Sequence, residues 1–337
     1  MCTIKRRLTL REVARQADVS VATVSRVLNG SDKVVPETRD RIQAMIEQLG
    51  YLPNPAARTL NSGRTMTVGA IVPTLYHSIF AKFLHGLEKR LSEQGFSLVV
   101  STSDWDQEIE ATKARHMLAM GAEALVVSGV DHSPNFTSLV RRYKVPIVQT
   151  SYFAPNSEFA TIGYDNAKAA RTALKYLVGL GHKRISVLHG PEANNDRVSA
   201  RLQGLRSYGK DVQLDFVETT LDIPGGRNGA STVLSKKAMP SAILCLSDLL
   251  AVGALFESQS KGIIIPTELS IMGFENLQIG AVTSPPLTTM SLGVEKMATQ
   301  TAAALCAHLS ENKDISEYEV VGDVIVRGST ARKTKLI

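Results

Sequence analysis

Only three residues, Asp18-Val19-Ser20, separate two short segments whose apolar side chains recur at helical spacing. That brevity leaves few folds open. Leu10, Val13, Ala14 and Ala17 fall at i, i+3, i+4 and i+7 on the first segment, and Val24, Val27 and Leu28 share one face of the second. So short a link permits only a tight turn, with Ser20 placed to cap the second helix. Two helices joined this way form a helix-turn-helix. Ile42, Met45, Ile46 and Leu49 supply a third helix, opened by Pro36 and closed by Gly50. Once Val24, Val27 and Leu28 turn inward, the second helix presents Val21, Ala22, Ser25, Arg26 and Asn29 on its other face. Those side chains are small enough, or long and polar enough, to read base edges in a major groove.

Charge is distributed to match. Residues 1–64 hold 11 Lys and Arg against 6 Asp and Glu, whereas the remaining chain holds 27 against 26. A basic segment on a near-neutral body is the footprint of an anionic polymer partner. After the third helix come Pro53-Asn54-Pro55 and then Ala56-Ala57-Arg58-Thr59-Leu60-Asn61, barely two helical turns. Alone in water so short a helix is mostly unfolded, because nucleation is costly below about 12 residues. It reads as a linker that becomes helical on contact with something else.

From Met66 the texture changes. Val/Ile/Leu-rich runs such as 67–72, 96–101, 124–127 and 146–149 alternate with amphipathic segments such as 80–94, 108–120 and 136–143. The alternation resumes over 168–180, 184–188, 198–208, 226–234, 242–246, 249–261 and 269–272. Apolar runs bounded by Gly, Pro or Asp and separated by helices are the pattern of buried parallel strands with crossover helices. Two such sets, divided near Tyr164-Asp165-Asn166, imply two doubly wound lobes with a ligand cleft between the strands' carboxyl ends. The expected fold class is an all-α helix-turn-helix headpiece on an α/β two-lobed core.

Several chemistries are excluded by what is missing. The segment after the first strand reads Pro73-Thr74-Leu75-Tyr76-His77-Ser78, with no glycine for a dinucleotide fingerprint. Gly225-Gly226-Arg227-Asn228-Gly229 lacks the fingerprint spacing and fits a helix-opening turn. No phosphate-binding loop ending in Gly-Lys-Ser/Thr occurs, no His pair has metal-ligand spacing, and Ser25, Ser199 and Ser247 have no nucleophile elbow. The expectation is therefore a non-enzyme with no catalytic residues, no metal and no cofactor. Cys2, Cys245 and Cys306 are far apart, and Cys245 lies in an apolar run that suits a buried thiol. With no apolar stretch of about 18 residues and no apolar core after the basic start, neither a membrane span nor a signal peptide is expected. The expected location is the cytoplasm.

Leu10-Arg11-Glu12-Val13-Ala14, Ala22-Thr23-Val24-Ser25-Arg26-Val27-Leu28-Asn29 and Gly50-Tyr51-Leu52-Pro53-Asn54 resemble the headpiece signature of the lactose-repressor (LacI) family of transcription regulators. Gly163-Tyr164-Asp165-Asn166, Gly181-His182-Lys183-Arg184, Arg201-Leu202-Gln203-Gly204, Gly273-Phe274 and Pro285-Pro286-Leu287-Thr288-Thr289 resemble its effector-binding core, so the likeness runs the whole chain. The resemblance implies a headpiece at 1–53, a hinge helix linker at 54–64 and a periplasmic-binding-protein-like core at 65–337. Lobe 1 would comprise about 65–164 and 293–321, and lobe 2 about 165–290 and 322–337.

By the same resemblance, Val21, Ala22 and Arg26 occupy base-reading positions, and Ser20, Thr23, Ser25 and Asn29 hold phosphates. Ala57 and Leu60 lie in the hinge, where Leu60 would wedge into a minor-groove step. Asp18 stands where the family usually has Gly, and Asp tolerates a left-handed turn better than most residues. The implied effector contacts are Ser78, Phe80, Asp165, Asn166, Asn195, Arg197, Arg201, Ser247, Asp248 and Glu275. Asp248 is equally readable as a helix N-cap. Pro224 takes the place of a frequent stacking aromatic, and Glu275 that of a common Asp.

Segments 251–259 and 275–280 are similar to the gluconate-repressor subgroup, and two arginines near the cleft suit a carboxylate. The implied partners are a pseudo-palindromic operator in double-stranded DNA, a second copy of the chain, and a sugar acid such as gluconate or else a neutral sugar. Two rivals remain: a sugar-binding module with no DNA role, and a regulator using a phosphoprotein co-effector.

Overall fold

The computed structural model describes residues 8–28, 31–51, 63–209 and 211–333. Two compact units divide the chain between Thr65 and Met66. The first contains α1 (Leu10–Gln16), α2 (Val21–Leu28) and α3 (Pro36–Leu49). A capping box starts α1: Thr9 Oγ1 accepts from the Glu12 amide, and Glu12 Oε2 accepts from the Thr9 amide at 2.6 Å. Asp18 adopts φ +50° in the turn, so the left-handed bend is made without glycine. Ser20 Oγ then accepts from the Thr23 amide at 3.1 Å and caps α2. Gly50, at φ +59°, ends α3 with a left-handed cap.

Val13, Ala14, Ala17, Val24, Val27 and Ile42 form the core of this unit, as their spacing requires. Val34 and Tyr51 join them from outside the helices, where no period could reveal them. The expected hinge helix at 55–61, with Ala57 and Leu60, lies outside the described residues, as do Asn29 and Cys2.

In the second unit the chain runs β1 (Thr67–Val72), α4 (Ser78–Glu93), β2 (Ser97–Thr102), α5 (Gln107–Ala119), β3 (Ala124–Ser128), α6 (Pro134–Tyr143), β4 (Ile147–Thr150) and β5 (Thr161–Gly163). It continues through α7 (Asn166–Gly179), β6 (Arg184–His189), α8 (Asp196–Arg206), β7 (Gln213–Glu218), α9 (Ile223–Leu234), β8 (Ala242–Cys245) and α10 (Asp248–Ser260). Then come β9 (Ser270–Phe274), α11 (Gln278–Ala281), β10 (Thr288–Met290), α12 (Val294–Glu311), β11 (Tyr318–Glu319) and β12 (Val324–Ile325).

Two sheets result, ordered β11-β5-β4-β3-β1-β2 and β12-β10-β9-β8-β6-β7. Every pairing is parallel except that of β12 with β10. The central strands are buried on both faces by crossover helices, which explains their unbroken apolar sequence. Gly69 in β1 is where α5 comes closest, since a Cβ there would collide with Met117 and Leu125. The chain passes between the sheets at 164–165, 291–293 and 320–323. Thus α12 packs back on the first sheet, beside α4 and β4. Cys245 is fully buried in β8. Among the described residues, no helix is long and apolar enough to cross a membrane.

Ile42 is completely enclosed in the headpiece core. Ile42→Ala is expected to lower headpiece stability by about 2–5 kcal/mol. Thermal unfolding of the full chain followed by circular dichroism should show the headpiece transition moving down and that of the core unchanged. A shift of the core transition instead would contradict the division into two units.

Candidate DNA-reading face and effector cleft

Helix α2 has one buried side, Val24 and Val27, and an opposite side on which Val21, Ala22 and Arg26 are exposed. Arg26 makes no ion pair among the described residues, so its guanidinium is available to an incoming base edge. Ser20 and Thr23 are joined through their hydroxyls at 2.8 Å, which places both at the helix start where a phosphate would approach. Ser25 is half-buried beside them.

In the core, the carboxyl ends of the strands supply the cleft. The β1–α4 connection brings His77 and Phe80, the β2–α5 turn brings Trp105, and the residues around β5 bring Ser151 and Tyr164. From the second sheet come Asn195, Arg197 and Arg201 after β6, Leu221 after β7, Leu246 after β8 and Glu275 after β9. This is where doubly wound sheets bind ligands.

The lobes are joined across this cleft. Asp196 Oδ2, at the start of α8, accepts from the amides of Val130 and Asp131 in the β3–α6 loop, at 2.6 and 3.3 Å. Arg197 Nη1 lies 3.2 Å from Asp196 Oδ1 and 3.4 Å from Ser128 Oγ. Gly129, at φ +92°, permits the approach, because a Cβ would collide with both Arg197 and Asp196. His77 borders the cleft with Leu221, and burial pushes its pKa below 6.5.

An arginine and a glutamate are buried in the wall of the cleft. Arg201 is 5% exposed; its Nε donates to Asn166 Oδ1 at 2.9 Å, its Nη1 to the Leu246 carbonyl at 3.0 Å, and its guanidinium lies over the Phe274 ring at 4.5 Å. These partners are neutral, and among the described residues no carboxylate lies within 4.0 Å of it. Glu275 is the nearby acid, receiving a hydrogen bond from Ser247 Oγ at 3.0 Å. Burial raises its pKa to about 8, overriding the opposing pull of Arg201, so at neutral pH it is mostly the uncharged acid. Its backbone is strained, at φ +111°, which costs about 1–3 kcal/mol and is tolerated where function or packing demands it.

A family model for periplasmic binding proteins and the sugar-binding domain of the LacI family matches residues 65–321, and one for bacterial regulatory proteins of the lacI family matches residues 9–54. The chain belongs to the LacI family. It is a DNA-binding transcription regulator with an effector-binding core. Its relatives include the transcriptional repressor CytR of Escherichia coli K12, 30% identical over 96% of both chains. Catabolite control protein A of Staphylococcus epidermidis is 32% identical over 84% of this chain and 87% of its own. Among solved structures, a Lac repressor dimer bound to operator and an anti-inducer superposes with a TM-score of 0.86, at 23% identity, over 97% of this chain and all of that one.

The positions that this LacI-family chain offers for an effector divide into two groups. Phe80, Asn195, Arg197, Arg201 and Glu275 line the cleft together. Asp248 does not: it is fully buried, its Oδ1 accepts from Thr289 Oγ1 and its Oδ2 from the Leu277 amide, both at 2.6 Å. Nor is it a cap, since Ser247 caps α10. Burial lifts its pKa to about 6. Asn166 spends its amide within the fold, between Arg201 and the Ser151 carbonyl. Asp165 caps α7, and Ser78 opens α4 without lining the chamber that holds Phe80.

Arg197 lines the cleft while paired with Asp196, whereas Arg201 has no carboxylate within 4.0 Å among the described residues. Pro224 lies in the first turn of α9, and the aromatic wall comes instead from Trp105 on the other lobe. Neither Trp105 nor His77 belongs to a motif. The one available signal was that Trp105 is the chain's sole tryptophan, set between two aspartates.

In the unfolded chain Glu275 ionises near its ordinary 4.5, whereas in the fold it keeps its proton up to about pH 8. Its buried acid form therefore contributes fully below pH 4.5, and that contribution is lost as pH rises to about 8. Glu275→Gln stays neutral throughout. Thermal scans should show its melting temperature gaining steadily on wild type from pH 4.5 to about 8, then holding a constant advantage. Parallel curves would mean that Glu275 ionises as it does in water.

Proposed function

We propose that the protein is a cytoplasmic homodimeric repressor, without catalytic activity, that binds a pseudo-palindromic operator and is controlled by an organic acid, a sugar acid such as gluconate, held between the lobes. The domains of this reading are the headpiece at 1–53, the hinge at 54–64 and the two-lobed core at 65–337. One observation carries the effector class: the buried Arg201 guanidinium has only neutral hydrogen-bond partners, beside a Glu275 whose pKa burial raises to about 8. A buried cation left without a counter-charge is costly, and an anionic ligand repays that cost.

On the DNA side, Arg26 is the exposed side chain of α2 that can make a bidentate contact with guanine. Val21 and Ala22 can offer only apolar contacts, and Ser20, Thr23 and Ser25 are suited to phosphates. A single headpiece touches few bases, and two-fold symmetry matches a palindromic site. Ala57 and Leu60 in the hinge complete the DNA contacts, with Leu60 prying open a minor-groove step. Ligand-driven change in lobe closure would alter hinge spacing and so the affinity for operator.

Fluorescence anisotropy with a labelled fragment from upstream of the protein's own gene tests this. Arg26→Ala is expected to weaken binding about 5- to 150-fold, the worth of one bidentate base contact. Leu60→Ala should also weaken it, and gluconate should shift the wild-type curve where sorbitol does not. Operator affinity untouched by both substitutions would overturn the DNA assignment. A response to neutral sugars alone would overturn the acid effector.

A further inference from the structure

The cleft has two chambers of different character. The inner one, against Arg201 and Glu275, leaves free space of about 30 Å³, enough for one small polar group. The outer one offers about 560 Å³, within the range that encloses a whole small ligand. His77, Trp105, Asn195 and Leu221 border both, so the two are continuous.

Two polar groups of the outer chamber are partly engaged within the fold. Asp222 Oδ1 accepts from the Gly225 amide at 2.6 Å and from Thr220 Oγ1 at 2.9 Å. Asn195 Oδ1 accepts from the Val198 amide at 3.3 Å. What remains to meet a ligand is largely apolar: Trp105, Leu221, Leu249 and Pro191. Trp105 stands at the junction of the chambers in a left-handed conformation, φ +64°, which is unfavourable for a bulky residue. It is held there by Phe80 edge-on at 6.2 Å and by Arg197 at 5.3 Å from its ring. Strain maintained at the wall of a cavity points to a use for that wall.

We propose that the effector is a two-part organic acid, whose carboxylate enters the inner chamber against Arg201 while an apolar ring occupies the outer chamber against Trp105, Leu221 and Leu249. The proposal rests on the organic-acid reading above and adds the body that the acid group must carry. A bare polyhydroxy acid fits less well. Its hydroxyls would leave water for walls that are largely apolar, and lost hydrogen bonds of that kind weaken binding. A flat ring loses nothing there and stacks on the indole.

Isothermal titration calorimetry on the full chain separates the two parts, with glucuronate, phenyl β-D-glucoside and phenyl β-D-glucuronide as probes. The phenyl glucuronide, carrying both acid and ring, is expected to bind at least about tenfold more tightly than either partial probe, as burial of a ring predicts. Leu249→Asn, which alters the outer chamber alone, should erase the ring's advantage while leaving glucuronate affinity unchanged. Equal affinity for glucuronate and its phenyl conjugate would overturn the two-part ligand and leave the organic-acid reading standing. Equal affinity for phenyl glucoside and phenyl glucuronide would overturn the acid reading and the inner half of this one. Binding by none of the three would overturn both.

Discussion

A guanidinium taken almost entirely out of water organises the cleft. Arg201 reaches from α8 to the start of α7, to the carbonyl at the end of β8 and to the Phe274 ring at the end of β9. It thereby ties together the ends of elements that the chain visits far apart in sequence. None of those partners is charged, and the closest acid has surrendered its charge to burial. A buried guanidinium without a counter-charge costs stability, and on the function proposed above an anionic effector would offset that cost. The lobes are joined through a different contact, the Asp196 carboxylate that gathers two amides from the facing lobe. The contact between the lobes and the buried guanidinium thus lie on adjacent turns of one helix.

The headpiece works by another logic. Its helices are short, and its apolar cluster is small, so local devices do much of the specifying: a capping box, a left-handed aspartate, a serine cap and a glycine stop. The side of α2 that escapes the cluster then presents Val21, Ala22 and Arg26 by geometry alone.

Those local devices are why the headpiece was legible in the sequence. Helical periodicity and capping chemistry act over a few residues, and Leu10 through Leu49 display both. The parallel strands were legible for a similar reason, since burial on both faces demands continuous apolar runs. The short strands β5, β10, β11 and β12 were not, because two or three residues carry no pattern of their own and their pairing depends on distant partners. The cleft was half legible. Arg201 and Glu275 sit in segments with a recognisable family pattern. Yet whether an acid faces the ligand or the interior depends on neighbours far along the chain: Thr289 and the Leu277 amide claim Asp248. Trp105 escaped notice because the aromatic wall crossed to the opposite lobe, leaving Pro224 in the expected place.

The three passages between the sheets have a consequence for how the chain is made. The first lobe waits for α12 and β11, which begin only at Val294 and Tyr318, after every strand of the second sheet except β12 has been made. As the polypeptide emerges from the ribosome, β4, β5 and α4 are present well before the helix that covers them. The second lobe, begun later, can assemble most of its layers first. Its last strand, β12, follows β11 after 320–323, so both lobes are completed within a few residues of each other near the end of synthesis. A chain terminated after β10 would therefore expose the apolar face of its first lobe, and the half-made regulator would be a substrate for chaperones and proteases before it could reach DNA.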